Sequence, residues 1–254
     1  MPRTQQRRTP RSAESSFKVT ENLSLTDRAT RVVRDRILDL TLSPGMALDE
    51  RYLLERFEFG RTPMREALNR LIVEGLVVSR EPRGMQVAPL SIDSTIELFD
   101  AYVLSERMVA SVLRFDDPDL LGDLERLHAD YVKNLDETGL LRVTELNAWF
   151  HYRLAAATQN AHITAYSHKL HNVARRLSYF IFKREAANGG LVTKLFEKPR
   201  QDHERIVDSI RHADRDALIE ILTDHAKFFR TRLARIISED NRSDIDFSGL
   251  SGQG

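Results

Sequence analysis

From about Ser91 to Ile237 this chain carries one amphipathic segment after another, and β-prone runs disappear. Apolar residues recur at helical spacing near 92–115, 118–136, 139–158, 161–187, 192–212 and 215–237. No such helix buries its apolar face alone, so the stretch can close a core only as an all-α, antiparallel helical bundle. The residues before it follow another pattern. Val32, Val33, Ile37 and Leu40 mark one helix, which Ser43-Pro44-Gly45 should end. Asp49 is a suitable N-cap for a short helix holding Tyr52, Leu53, Leu54 and Phe57. Thr62 as N-cap and Pro63 at the first position open a third, through Met64, Ala67, Leu68 and Leu71, closed by Gly75. Leu76–Arg80 and Met85–Ala88, around Glu81-Pro82-Arg83-Gly84, read as a hairpin. Three helices and a hairpin are the order of a winged helix-turn-helix. The expected fold is therefore mainly α: a winged helix-turn-helix over 23–90 and an all-α helical bundle over 91–237. A disordered basic tail at 1–22 and a flexible tail at 238–254 flank them.

Charge fits this division. The 38 Lys and Arg balance 38 Asp and Glu, but residues 1–90 hold 16 of the first against 12 of the second. A basic head on an acidic body suits contact with nucleic acid at one end. There is no Cys, which excludes disulfides and thiolate ligands. No apolar run approaches a membrane span and the first residues lack the apolar core of a secretory signal, so no membrane partner and a cytoplasmic location are expected.

The third helix opens with groups suited to DNA. Arg61 and Arg65 are four apart and project from one side of its N-terminus, with Thr62 beside them. In a helix-turn-helix that end enters the major groove, where an Arg fork pairs with guanine or clamps a phosphate. Arg51 is placed for the backbone, and Arg83 with Gly84 at the hairpin tip suits the minor groove. Taken singly, each arginine is more readily read as a solvated surface residue; the whole arrangement is more specific. The run from Arg36 through Leu42-Ser43-Pro44-Gly45, Asp49-Glu50-Arg51 and Arg61-Thr62-Pro63-Met64-Arg65-Glu66-Ala67-Leu68 to Arg83-Gly84 resembles the N-terminal domain of GntR-family bacterial regulators. The resemblance implies operator DNA as a partner, contacted by Arg51, Arg61, Thr62, Arg65 and Gly84. One departure is Glu58-Phe59-Gly60 before Arg61, where relatives carry a Ser or Thr that would touch phosphate; weaker or altered backbone contact is expected.

Of eight histidines, spacing singles out three. His203 lies ten residues before a bend expected near Ala213, and His225 twelve after it, with Asp214 capping the next helix. At ~1.5 Å per residue both sit about 15–18 Å along antiparallel helices, which brings their imidazoles level. Asn147 and His151 share a face of another, strongly apolar helix. Three imidazoles and one side-chain oxygen suit a borderline divalent metal; spacing alone leaves structural or surface histidines open. Asn147-Ala148-Trp149-Phe150-His151, His203–Ile210 and His225 resemble the FCD ligand-binding domain of the FadR branch of that family. The resemblance implies one divalent transition metal, zinc first, with nickel or manganese as alternatives, held through His151, His203 and His225. A relative's Asp ligand is here Asn147, which lacks the charge. Tyr102, one turn before Glu106, stands where relatives carry an Arg for the effector's carboxylate. Tyr102, Glu106 and Arg175 are the expected effector residues, although the Arg175-Arg176 pair also reads as an exposed helix face. A small organic-acid effector, a carboxylate, is expected; these two changes favour a plain small hydroxy acid less than in relatives and open the site to a larger or aromatic acid.

The function that follows is a ligand-responsive regulator, a repressor, binding a palindromic operator as a homodimer. Two other readings are weighed. One is a three-His metallohydrolase, but no His-Glu-x-x-His occurs, no acid is obviously placed as general base, and the head would go unexplained. The other is an architectural DNA-binding dimer whose pocket is vestigial.

Overall fold

The computed structural model describes residues 23–80, 84–135, 139–187 and 192–240. Helix α1 (Leu25–Leu38) starts at a reciprocal cap: the Ser24 hydroxyl accepts from the Asp27 N–H, and the Asp27 carboxylate accepts from the Ser24 N–H. It stops at Leu38, short of Ser43-Pro44-Gly45. Leu40 takes φ 67° and leaves the helix face on which it was expected. Its side chain is buried instead in the larger core of the C-terminal bundle. That burial offsets a backbone strain of ~1 kcal/mol for a non-glycine residue in this region.

Asp49 caps α2 (Glu50–Phe57) as expected, accepting from the Tyr52 N–H at 2.9 Å. The chain then turns through Glu58 at φ 57° and enters α3 (Arg61–Val73). Here the cap is Gly60, not Thr62, and Pro63 stands at the third helical position. Pro is still tolerated there, because N–H groups of the first turn have no helical acceptor. Strands β1 (Val77–Arg80) and β2 (Gly84–Val87) pair antiparallel, Val77 opposite Val87 and Arg80 opposite Gly84. Ala47 bridges to Gln86 at the edge of this ribbon. One core closes the unit, built from Val33, Ile37, Leu53, Met64, Leu68, Leu71, Leu76 and Val87 among others.

The remaining helices are α4 (Ile92–Val112), α5 (Leu120–Lys133), α6 (Leu140–Ala156), α7 (Ala161–Ala187), α8 (Val192–Leu195), α9 (Glu197–Arg211) and α10 (Arg215–Asp240). The segment expected as one helix over 192–212 is broken at Phe196, a fully buried ring that packs on Phe182 and Tyr131. The turn between α9 and α10 falls where expected: Ala213 has φ 52°, and Asp214 accepts from the Ala217 N–H. Helix α10 packs along α4 and α9, α6 along α7 and α5, and α4 against α7. Their shared apolar faces form the second core.

Helix α7 joins the two units. Arg176 is fully buried and donates from Nη1 to the Ala88 carbonyl at 2.7 Å, in the segment between β2 and α4. The loss of water around this guanidinium pulls its pKa down to about 9. Gly75, at φ +77°, ends α3 against the Lys169 and Val173 side chains of α7. The Arg175-Arg176 pair is thus buried, not an exposed face; extended guanidinium stems pack well where a polar tip can reach a carbonyl.

Candidate functional site

At the head, Arg61, Thr62 and Arg65 lie in the first turns of α3 and are all exposed. Arg61 makes one loose contact, 4.0 Å from Glu50, and its side chain stays 83% accessible. Arg51, at 87%, pairs with Glu55 at 2.8 Å on the same helix. An exposed pair of this kind contributes little to folding and is readily exchanged. Gly60 supplies no side-chain cap, so the start of α3 keeps free N–H groups beside two cations, an arrangement that favours an anion. Gly84 is exposed at φ +80°, and a Cβ there would meet nothing within 4 Å. Backbone conformation, not space, is what a glycine satisfies at that point. Arg83 lies outside the described residues.

Within the bundle, His151 of α6, His203 of α9 and His225 of α10 converge, with one ligand atom from each inside 4.8 Å of the others. All three are at most 1% exposed. His151 Nδ1 lies 2.7 Å from Glu106 Oε2, and His225 Nδ1 lies 3.2 Å from Asp202 Oδ2. Both rings therefore leave Nε2 toward the centre, and neither Nε2 has a partner among the described residues. Among the described residues His203 is unpartnered at both nitrogens, and it stacks on Phe150, centroids 4.1 Å apart and planes 9° from parallel.

A buried polar atom without a hydrogen bond costs ~1–3 kcal/mol. Three imidazoles that all accept that cost at one point make a donor set suited to a metal. Burial holds each of them below the usual histidine value, His203 furthest, with Glu106 and Asp202 partly offsetting it for His151 and His225. Neutral imidazole is the form that binds metal, and a carboxylate behind a ligating ring fixes its tautomer. The residues present fit a divalent ion with nitrogen ligands. Asn147, one turn before His151, lines a small cavity with Tyr102, Thr144, His171 and Arg175, and His151, His203 and His225 are not in that lining.

Glu106 was expected at the effector, and the structure gives it a different setting. Its two oxygens are held by His151 Nδ1 and by His171 Nε2 at 2.9 Å, and it is 1% exposed. Burial alone would raise its pKa, but the two imidazoles outweigh that and hold the carboxyl below the ordinary carboxylate range. Tyr102 does face the cavity, edge-on to His171 with centroids 4.8 Å apart. Arg175 also lines it; burial lowers its pKa, and its Nε has no hydrogen bond among the described residues. His171 and Asp202 were missed by sequence reasoning. His171 sits 20 residues after His151 on the next helix of a hairpin, and that spacing was the available signal.

Comparison with known proteins bears on both units. Residues 25–87 match the model of bacterial regulatory proteins of the gntR family, and residues 97–228 match the FCD domain. The chain is 24% identical over 206 residues to the HTH-type transcriptional repressor GlaR of Escherichia coli, covering 77% of this chain and 89% of that one. It is 31% identical over 120 residues to the Nta operon transcriptional regulator of Aminobacter aminovorans, covering 46% of this chain and 56% of its relative. In fold it is similar to a GntR transcriptional regulator from Rhodococcus sp. RHA1, with TM-score 0.66 and 20% identity over 84% of this chain and 99% of the other. It is likewise similar to Escherichia coli McbR/YncC, with TM-score 0.64 and 15% identity over 87% of this chain and all of the other.

Proposed function

Since this chain belongs to the gntR family of bacterial regulatory proteins and carries an FCD domain, we propose that it is a cytoplasmic, ligand-responsive repressor, and not an enzyme. It binds a palindromic operator as a homodimer, and an organic-acid effector near a metal site in the bundle changes its DNA affinity. The observation that carries this reading is the convergence of His151, His203 and His225 at one buried point, with nitrogens unpartnered among the described residues, behind a head that exposes Arg51, Arg61 and Arg65.

Arg61, Thr62 and Arg65 enter the major groove from the start of α3, Arg51 holds the backbone, and Arg83 with Gly84 reaches the minor groove. His151, His203 and His225 ligate the metal, zinc before nickel or manganese, and Asn147 offers a neutral fourth oxygen. The metal supplies a Lewis-acidic seat for the effector's carboxylate. Glu106 and Asp202 orient the ligating rings, so Glu106 acts on the effector only through them. Tyr102 and Arg175 face the acid, and Arg175 supplies the positive charge that Tyr102 lacks. Change at Arg175 has a short route to the head, because the next residue, Arg176, holds Ala88 before α4.

The test is binding of the purified full chain to a palindromic duplex from upstream of the adjacent operon, with metal content measured on the same sample. Salt-sensitive, sequence-selective binding, about one metal per protomer, and a change in affinity with an organic acid are expected. Sequence-independent binding by a metal-free protein that no acid affects would favour the architectural reading instead.

A further inference from the structure

A cavity of about 410 Å³ lies between the head and the bundle. Small-molecule sites typically fall between about 300 and 1,000 Å³. The cavity beside His171, by contrast, measures only about 10 Å³. Arg34 of α1 and Glu74, just past α3, form one side of the larger cavity; Trp149 and Tyr152 of α6 and Lys169 and Arg175 of α7 form the other.

The charges of this lining do not cancel. Glu74 is taken by Arg34, through contacts of 2.5 and 2.8 Å, and Glu145, also on the wall, is taken by Arg142 at 2.5 Å. Among the described residues Lys169 and Arg175 have no ion-pair or hydrogen-bond partner, and Arg175 is only 9% exposed. Glu145 still acts on Arg175 through space, but Arg34, Lys169 and Arg175 face only Glu74 and Glu145 in this lining. A largely desolvated guanidinium with an unpaired ammonium on the same wall is a seat for an anion. The opposite character stands next to it. Trp149 is 41% exposed, a large share for an indole, and meets Tyr152 edge-on with centroids 5.6 Å apart. An aromatic ring laid there would cover apolar surface that nothing among the described residues covers.

We propose that this cavity is a second ligand compartment that takes an aromatic carboxylate, its anionic end on Arg175 and Lys169 and its ring against Trp149. The assignment goes beyond the metal-centred reading and does not need the metal. Arg175 also lines the small cavity beside His171, so the two compartments share one guanidinium. A ligand held here touches α1 and the end of α3 on one side and α6 and α7 on the other. It therefore stabilises one particular placement of the head on the bundle.

Trp149 is the sole tryptophan in the chain and serves as its own reporter. The probe is 4-nitrobenzoate, an aromatic acid that quenches indole fluorescence, titrated into the full-length protein. Saturable quenching is expected, half-complete below about 1 mM, reversed by benzoate and not by acetate. Arg175→Gln and Lys169→Gln each weaken it about tenfold. Lys169 is exposed, so its variant keeps the fold and decides the matter if Arg175→Gln does not. His203→Ala leaves the quenching in place, which separates failure of this site from failure of the metal centre. Quenching that rises linearly with probe, or that saturates equally in wild type and Lys169→Gln, overturns the proposal.

Discussion

The head and the bundle place their candidate residues in opposite surroundings. Arg51, Arg61, Thr62 and Arg65 lie within fifteen positions of one another and stand in solvent. His151, His203 and His225 span 75 positions, come from three helices and are sealed from solvent. A surface that must meet a large polyanion needs cations that cost nothing to display. A site for a small ion needs ligands whose own hydrogen bonds have been withheld, and only a folded core can do that. In the head, then, function and stability are separable, while in the bundle they are not.

The strongest test of that contrast is His203→Ala. In the wild type, zinc at a hundred times its Kd should stabilise the fold by about 2.7 kcal/mol. In the variant a thermal melt should show no zinc-dependent shift, and metal analysis should find none retained. Arg65→Ala should act in the reverse sense. Operator affinity measured by fluorescence anisotropy should fall by about 1–3 kcal/mol, while Tm stays put because the side chain is exposed. Glu106→Gln sharpens the comparison from inside the bundle. It keeps the shape but loosens the hold on His151, so zinc affinity by competition with a chelator should drop about 10–100-fold. Arg51→Ala should lower the slope of log affinity against log salt by about 1, with little change in selectivity.

The smallest effect expected is on pH. His151, His203 and His225 are held below their ordinary values by burial. On acidification the unfolded chain takes up protons first, near pH 6.5, and the folded chain resists. Stability of the metal-free protein should therefore be full above that pH and decline as the pH falls below it, read as a drop in Tm between pH 7 and 5.5. His203→Gln should flatten the decline.

The two regions also differ in how far the sequence reveals them. The head could be read almost in full, because helix caps, turn residues and the arginine cluster are local. Its misreadings have separate causes: α1 ends early where Leu40 is buried in the other core, and Gly60 takes the cap expected of Thr62, both residues being exposed. In the bundle, the bend at Ala213 and the helical period brought out His203 and His225. The carboxylates behind the rings were not legible, since Glu106 reaches His151 across 45 positions and His171 across 65. Arg175 and Arg176 misled for a related reason. A pair of arginines reads as surface, and the carbonyl that Arg176 reaches in the core is 88 positions away.

The most direct measurement of the account sets two variants side by side on one labelled palindromic duplex at fixed salt, each with zinc and a small aliphatic acid, which the compartment at Trp149 does not take, added or withheld. Arg65→Ala should lose operator binding and still retain zinc. His203→Ala should bind the operator and no longer respond to the acid. Operator affinity unchanged in Arg65→Ala, or an undiminished acid response in His203→Ala, would contradict the division of reading and sensing between these two regions.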